Sequence, residues 1–179
     1  MKNIKKVNKI DIKYLKIIRK NVTLLHKNYA EIYDKKKNLI LDVAPQIYEG
    51  AKKFFKYAKI KTLDIDPNSN ADYICDLAKC NIIPNNKFDL IFCTEVLEHV
   101  KEPELCIRSL YRILKKNGKI IVSTPFNFRI HNPLPDYWRF SEHGLNFLFK
   151  KNRFKKIKIK SIDSERFLFP IQYILTAVK

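Results

Sequence analysis

Glycine is scarce in this chain, with three residues among 179. None falls in Asp42-Val43-Ala44-Pro45-Gln46, where the first buried apolar run ends and turns. Backbone that must approach a ligand closely after a strand normally relies on glycine, so whatever binds there is held differently. The four cysteines, Cys75, Cys80, Cys93 and Cys106, form no C-x-x-C pair, which argues against a zinc site and for reduced, mostly buried thiols. No metal motif is present. No apolar run approaches the roughly 18 residues of a membrane span, and the basic N-terminus lacks a small-residue cleavage site. A soluble protein in the reducing cytoplasm is the expectation. Acidic residues are half as numerous as basic ones, 18 against 36, for a net charge of +18. That field favours anionic partners such as nucleic acid, phosphorylated metabolites or an acidic membrane face. The lysines are scattered rather than gathered into an aromatic-interleaved block, which argues against a dedicated nucleic-acid surface.

The chain is long enough for one domain with a substantial core and too short for two. From Leu15, the residues Ile18, Val22, Leu25, Tyr29 and Ile32 follow at steps of three and four, the stripe of an amphipathic helix. Residues 1–37 therefore read as an added helical segment and 38–179 as the main domain. "NLILDV" reads as a strand, "YEGAKKFFKYA" as a helix and "IKTLDID" as a second strand, the opening of a parallel sheet. "ADYICDL" follows too soon for an intervening helix and reads as a short third strand. "NNKFDLIFCT" leads into a buried strand, and "EPELCIRSLYRILKK" is a helix stopped at Gly118. "KIIVSTPF" is the next strand. The long loop "NFRIHNPLPDYWRF" has the character of a functional segment. Ser141 caps a helix over "SEHGLNFLFKK", and "FKKIKIKSI" and "IQYILTAVK" close the chain as strands. His26 and His143 read as surface residues.

"LILDV", "TLDIDP", "DYICDL", "FDLIFCTEVLEHV", "LKKNGKIIVSTPF" and "DYWRFSEHGL" occur in this order from about Asn38 onward, and in this the chain resembles the class I S-adenosylmethionine-dependent methyltransferases. "FDLIFCTEVLEHV" is the most specific of these stretches. The resemblance implies an α/β Rossmann-like fold whose seven-stranded, mostly parallel sheet ends in an antiparallel strand, with S-adenosylmethionine beyond the carboxyl ends of the early strands.

The same resemblance assigns the site. Asp64, with Ile65 after it, stands where the family places its ribose-binding acid; a strand-end aspartate can also simply cap a turn. Asp76 and Leu77 match an adenine-contacting pair, and Cys93, Thr94 and Glu95 the segment beneath the sulfonium. In the first loop Asp42 keeps the family's acid, while Ala44, Pro45 and Gln46 replace its glycines. Ala44 is tolerable if its backbone stays at negative φ, Pro45 removes an amide donor, and the Gln46 amide can replace it. His131 in the long loop suits a general base, with His99 as the alternative. Tyr137 and Trp138 offer flat walls and Arg139 a planar fork for an anionic group. O-methylation of a small anionic acceptor, such as a nucleotide-activated sugar or phosphorylated glycan precursor, is the leading expectation. RNA or another macromolecule as acceptor, or a non-catalytic binding protein, are the alternatives.

Overall fold

The structure, a computed structural model, describes residues 7–45 and 49–179. Helix α1 (Lys9–Tyr33) starts at Asn8, whose side chain accepts from the Ile10 amide, an N-cap interaction. Its inward side chains are Tyr14, Ile18, His26 and Ala30. They lie in one row along the helix in steps of four, and this row differs from the expected stripe. Ile32 points outward at 58% exposure, and His26, expected at the surface, is 4% exposed. The apolar periodicity identified the helix but not its rotation, because a small Ala30 and an imidazole sit on the inward row.

Strands β1 (Leu39–Val43), β2 (Lys59–Asp64), β3 (Tyr73–Ile74), β4 (Phe88–Thr94), β5 (Leu114–Pro125), β6 (Lys155–Ile162) and β7 (Gln172–Val178) form one sheet in the order β3-β2-β1-β4-β5-β7-β6. β7 runs antiparallel to both its neighbours, and the other pairings are parallel. Order reverses beside β1, between β1 and β4, so the loops after β1 and β4 diverge and leave a crevice at the carboxyl edge. One face is covered by α1 and the segment after β1, with Ala30, Ala51 and Phe55 packed on Ile40, Leu90, Phe92 and Ile121. The other carries α2 (Pro103–Ile113) and α3 (Glu142–Lys151), whose Ile107, Leu110, Leu145 and Phe149 join Leu41, Ile91 and Val122. Ser141 caps α3, accepting from the Gly144 amide.

Several elements are shorter than expected. In place of a helix over "YEGAKKFFKYA" there is a 3-10 helix, Gly50–Phe54; Tyr48 lies outside the described residues. The chain leaves it because the Asp34 carboxylate collects the amides of Lys56, Tyr57 and Ala58, fixing an extended path into β2. α2 stops at Ile113, before Gly118, because the turn ahead of β4 satisfies its last carbonyls: Asn86 and Lys87 donate to Arg112 and Ile113. Leu114 then pairs with Phe88 as the first residue of β5. The expectation of four reduced thiols also fails. Cys75 and Cys80 form a disulfide across the turn after β3, their Cα atoms 5.6 Å apart, within bridging range, while Cys93 and Cys106 are free and buried. No helix among the described residues is long and apolar enough to cross a membrane.

Candidate active site

The carboxyl edge of β1 carries Asp42, 2% exposed. Its Oδ2 accepts from the Ala51 amide at 2.7 Å, so the strand-end acid caps the 3-10 helix that follows. Burial pushes this carboxyl up to about 7, against the pull of the Ala51 N–H. Ala44 has φ 50°, its amide donating to Leu63. The condition that it keep a negative φ is therefore not met. Ala44 occupies the left-handed conformation a glycine would take, and the loop keeps a glycine-type turn without the glycine. Gly50, at φ 54°, supplies the close approach: a Cβ there would lie 2.2 Å from Asp42 Oδ2 and 2.8 Å from Pro45 Cβ. Gln46 lies outside the described residues.

Two cavities open at this edge. The larger, about 610 Å³, is lined by Asp42, Ala44, Thr94, Glu95, His99 and His131, and is roofed by α1 through Ile18, Val22 and His26. The second, about 510 Å³, contains Asp64 with Thr62, Ser69 and Asp72. Pro45 and Glu49 line both, so the first loop is the sill between an acid on β2 and the floor of β4. Cavities of this size take drug-sized ligands. Asp64 Oδ1 accepts from the Asp66 amide at 3.0 Å; it caps its turn and faces the second cavity at once. Ile65 is 67% exposed. Asp76 Oδ1 accepts from the Ala78 amide, Leu77 is a core residue, and Cys93 is fully buried; none of the three lines either cavity.

Thr94 and Glu95 do. Glu95 takes φ 55°, and its Oε1 accepts from Ser123 Oγ at 2.6 Å and Gln172 Nε2 at 2.7 Å. Gln172 Oε1 in turn accepts from Asn21 Nδ2, so the roof helix is tied to the cavity floor. Burial raises the Glu95 carboxyl, opposed by Ser123 and Gln172.

The long loop is organised by Arg139. Its guanidinium grips Asp136 with two bonds, at 2.5 and 2.8 Å, and reaches the carbonyls of Phe128, Arg129 and Trp138. The fork expected to take an external anion is thus turned onto its own loop. Tyr137 and Trp138 donate their amides to the Glu98 carbonyl, and the Trp138 indole donates to Val100. They pin the loop to the turn after β4 and do not line the larger cavity; Phe128, His131, Asn132 and Pro133 do.

The loop brings His131 against His99, with ring centroids 4.9 Å apart. His99 Nδ1 lies 3.1 Å from the Pro135 carbonyl. His131 Nδ1 lies 3.1 Å from Asp136 Oδ2, close but not aligned as a hydrogen bond. Burial and the neighbouring His99 lower the His131 pKa, so it is neutral near pH 7. Glu98, fully buried, turns its carboxyl toward both rings. Its carboxyl is raised well above the ordinary range by burial, then by the Glu95 charge.

Sequence reasoning passed over two residues here. Glu98 directly precedes His99 in "EVLEHV", and a carboxylate beside a candidate histidine was the available signal. His26 lines the larger cavity from the roof, its ring edge-on to Phe92 at 4.6 Å. Its Nε2 is buried without a partner, and burial lowers its pKa to about 4.

The sequence profile of the family described as "Methyltransferase domain" matches residues 16–157. A ubiquinone biosynthesis O-methyltransferase of Schizosaccharomyces pombe is 34% identical over 84 residues, 47% of this chain and 28% of that one. A ubiquinone/menaquinone biosynthesis C-methyltransferase of Psychromonas ingrahamii is 27% identical over 124 residues, 69% of this chain and 45% of that one. The chain thus spans less than half the length of these curated relatives. Among solved structures, a SAM-dependent methyltransferase from Archaeoglobus fulgidus shares the fold with a TM-score of 0.70 at 17% identity, over 90% of this chain and 94% of that one. A phosphoethanolamine N-methyltransferase of Haemonchus contortus in complex with S-adenosyl-L-methionine gives 0.69 at 17% identity, over 90% of this chain and 52% of that one. With the sheet order, the acids ending β1 and β2 and the profile match over residues 16–157 in agreement, the chain belongs to the class I S-adenosylmethionine-dependent methyltransferases.

Proposed function

We propose that this protein transfers the methyl group of S-adenosylmethionine to a hydroxyl oxygen of a small, anionic acceptor such as a nucleotide-activated sugar or phosphorylated glycan precursor. The observation that carries this is the roof. α1 lies over the larger cavity through Leu15, Ile18, Val22 and His26, leaving a bounded chamber that suits a small molecule better than a polynucleotide. Lys53 lines it alongside Asp42, Glu49 and Glu95, and it is the +18 net charge of the whole chain that favours a negatively charged guest. The two curated relatives are named for ubiquinone biosynthesis, in keeping with a small-molecule acceptor.

The residues present fit the cofactor. Asp64 faces a cavity beside the sill and can accept from two ribose hydroxyls. Ala44 and Gly50 both take the left-handed backbone, and Gly50 leaves no Cβ against Asp42 and Pro45. When bound, S-adenosylmethionine supplies an electrophilic methyl on a sulfonium sulfur. Holding that methyl and the acceptor oxygen in line accounts for much of the rate enhancement in such a transfer. The chain then has to remove the hydroxyl proton, and Glu98, His99 and His131 form the polar cluster at that end of the chamber.

The test is transfer of isotopically labelled methyl from S-adenosylmethionine in a cell extract depleted of small molecules, with nucleotide sugars, sugar phosphates or total RNA added back separately. Label in a low-molecular-weight product supports the proposal. Label in RNA alone favours the macromolecular alternative, and none in any fraction, with the cofactor bound, favours a binding protein.

A further inference from the structure

Both carboxylate oxygens of Glu98 are buried without a hydrogen-bond partner. A buried carboxylate in that position is costly unless it is paired or coordinates a metal. Glu98 Oε1 lies 3.7 Å from His99 Nε2 and 4.0 Å from His131 Nε2. One ligand atom from each of the three residues lies within 4.8 Å of the others.

The far side of the His99 ring fixes which of its nitrogens is free. The Pro135 carbonyl can only accept, so His99 carries its proton on Nδ1 and turns an Nε2 lone pair inward. On the far side of His131, Asp136 Oδ2 lies 3.1 Å from Nδ1 without forming a hydrogen bond to it, and Nε2 faces Glu98 Oε1 at 4.0 Å. An imidazole held from behind by a backbone carbonyl, as His99 is, is what metal-binding histidines show. Glu95, the other carboxylate nearby, accepts from Ser123 and Gln172 on Oε1 and is not among the mutually close ligand atoms.

We propose, resting on the methyltransferase reading, that Glu98, His99 and His131 hold a divalent transition-metal ion whose open position faces the chamber and takes the acceptor's hydroxyl oxygen. Ligands about 2.0–2.2 Å from zinc stand roughly 3.0–3.7 Å from one another. Two edges of the triangle, 3.7 and 4.0 Å, are already within a few tenths of an ångström of that; the third is no longer than 4.8 Å and closes by at most about 1 Å as the loop side chain settles. Two imidazoles and one carboxylate match open catalytic zinc and iron sites, whereas magnesium and calcium prefer all-oxygen shells. His99 and His131 both line the larger cavity, so the vacant coordination position points where the acceptor enters. The ion lowers the pKa of the hydroxyl bound to it. The proton leaves to solvent, the C–S bond breaks as the O–C bond forms, and S-adenosylhomocysteine departs without any redox change. His131 then serves as a ligand rather than as a free base. Two ligands are adjacent in the chain and the third comes from a distant loop, so no metal-binding spacing is visible in the sequence.

The protein is stripped with chelator and titrated with zinc by calorimetry and with cobalt by visible absorption. In parallel, S-adenosylhomocysteine binding is measured with and without metal. One equivalent bound, with cobalt bands of nitrogen and oxygen ligation, is expected. Glu98→Gln, nearly isosteric, and His131→Ala, in a surface loop, should each weaken metal binding at least about 100-fold while S-adenosylhomocysteine still binds. No saturable metal binding, thiolate-to-cobalt bands placing the ion on cysteines, or unchanged affinity in both variants would overturn the metal site. If metal binds but S-adenosylhomocysteine does not, the methyltransferase reading fails and the site stands on its own.

Discussion

Replacing Gly50 by alanine probes the sill directly. The added Cβ would sit 2.2 Å from Asp42 Oδ2 and 2.8 Å from Pro45 Cβ, at φ 54°. The left-handed conformation costs a non-glycine residue about 1–2 kcal/mol. The carboxyl must also swing away, losing its 2.7 Å bond from Ala51, worth about 1–3 kcal/mol for a group that titrates near neutrality. Together these give roughly 2–5 kcal/mol, against a total stability of about 5–15 kcal/mol for a domain. Urea unfolding followed by circular dichroism gives the loss in stability, and calorimetry gives S-adenosylhomocysteine affinity, which should fall in parallel as the sill rises. A loss below about 1 kcal/mol with unchanged affinity would mean that Gly50 and Asp42 are not packed as described.

Asp64→Ala should weaken S-adenosylhomocysteine binding by roughly 1.5–3 kcal/mol, the range for hydrogen bonds to a charged group; unchanged calorimetric affinity would point to a different ribose acid. His26 controls part of the pH dependence. Burial lowers its pKa from 6.5 to about 4, so its contribution to stability is complete above pH 6.5 and is lost as pH falls toward 4. That contribution is about 3 kcal/mol. Asp42, with its raised pKa, acts in the opposite sense over much of the same range, so the comparison with a variant is the informative measurement. Relative to the wild type, His26→Phe should gain about 3 kcal/mol between pH 6.5 and pH 4 in urea titrations; equal slopes would show that His26 titrates normally.

Much of the fold could be read from the chain because β1, β4 and residues 120–122 of β5 are apolar runs near turn residues, as strands buried on both faces must be. The departures have local causes. Asp34 ended the second helix by collecting three amides, and the turn at Asn86 and Lys87 ended α2 early. Both are contacts between segments distant in sequence, invisible to periodicity. Strand ends carry Asp42, Asp64, Thr94 and Glu95 to a shared edge, where they line the two cavities. Leu77 and Cys93 are core residues, and a motif match does not say which way a side chain points. A loop arginine such as Arg139 reads as a free fork in the sequence, which does not show that Asp136, three residues earlier, holds it. His26 and Glu98 escaped because apolar patterning has no place for a buried imidazole or an unpaired buried acid.

The most direct test is whether the glycine-poor loop binds cofactor at all. Isothermal titration of the purified protein with S-adenosylmethionine and S-adenosylhomocysteine should show saturable binding at one site, since Asp64 and the floor of Thr94 and Glu95 do not depend on glycines in the first loop. Absence of heat and of any thermal shift at millimolar ligand would contradict it.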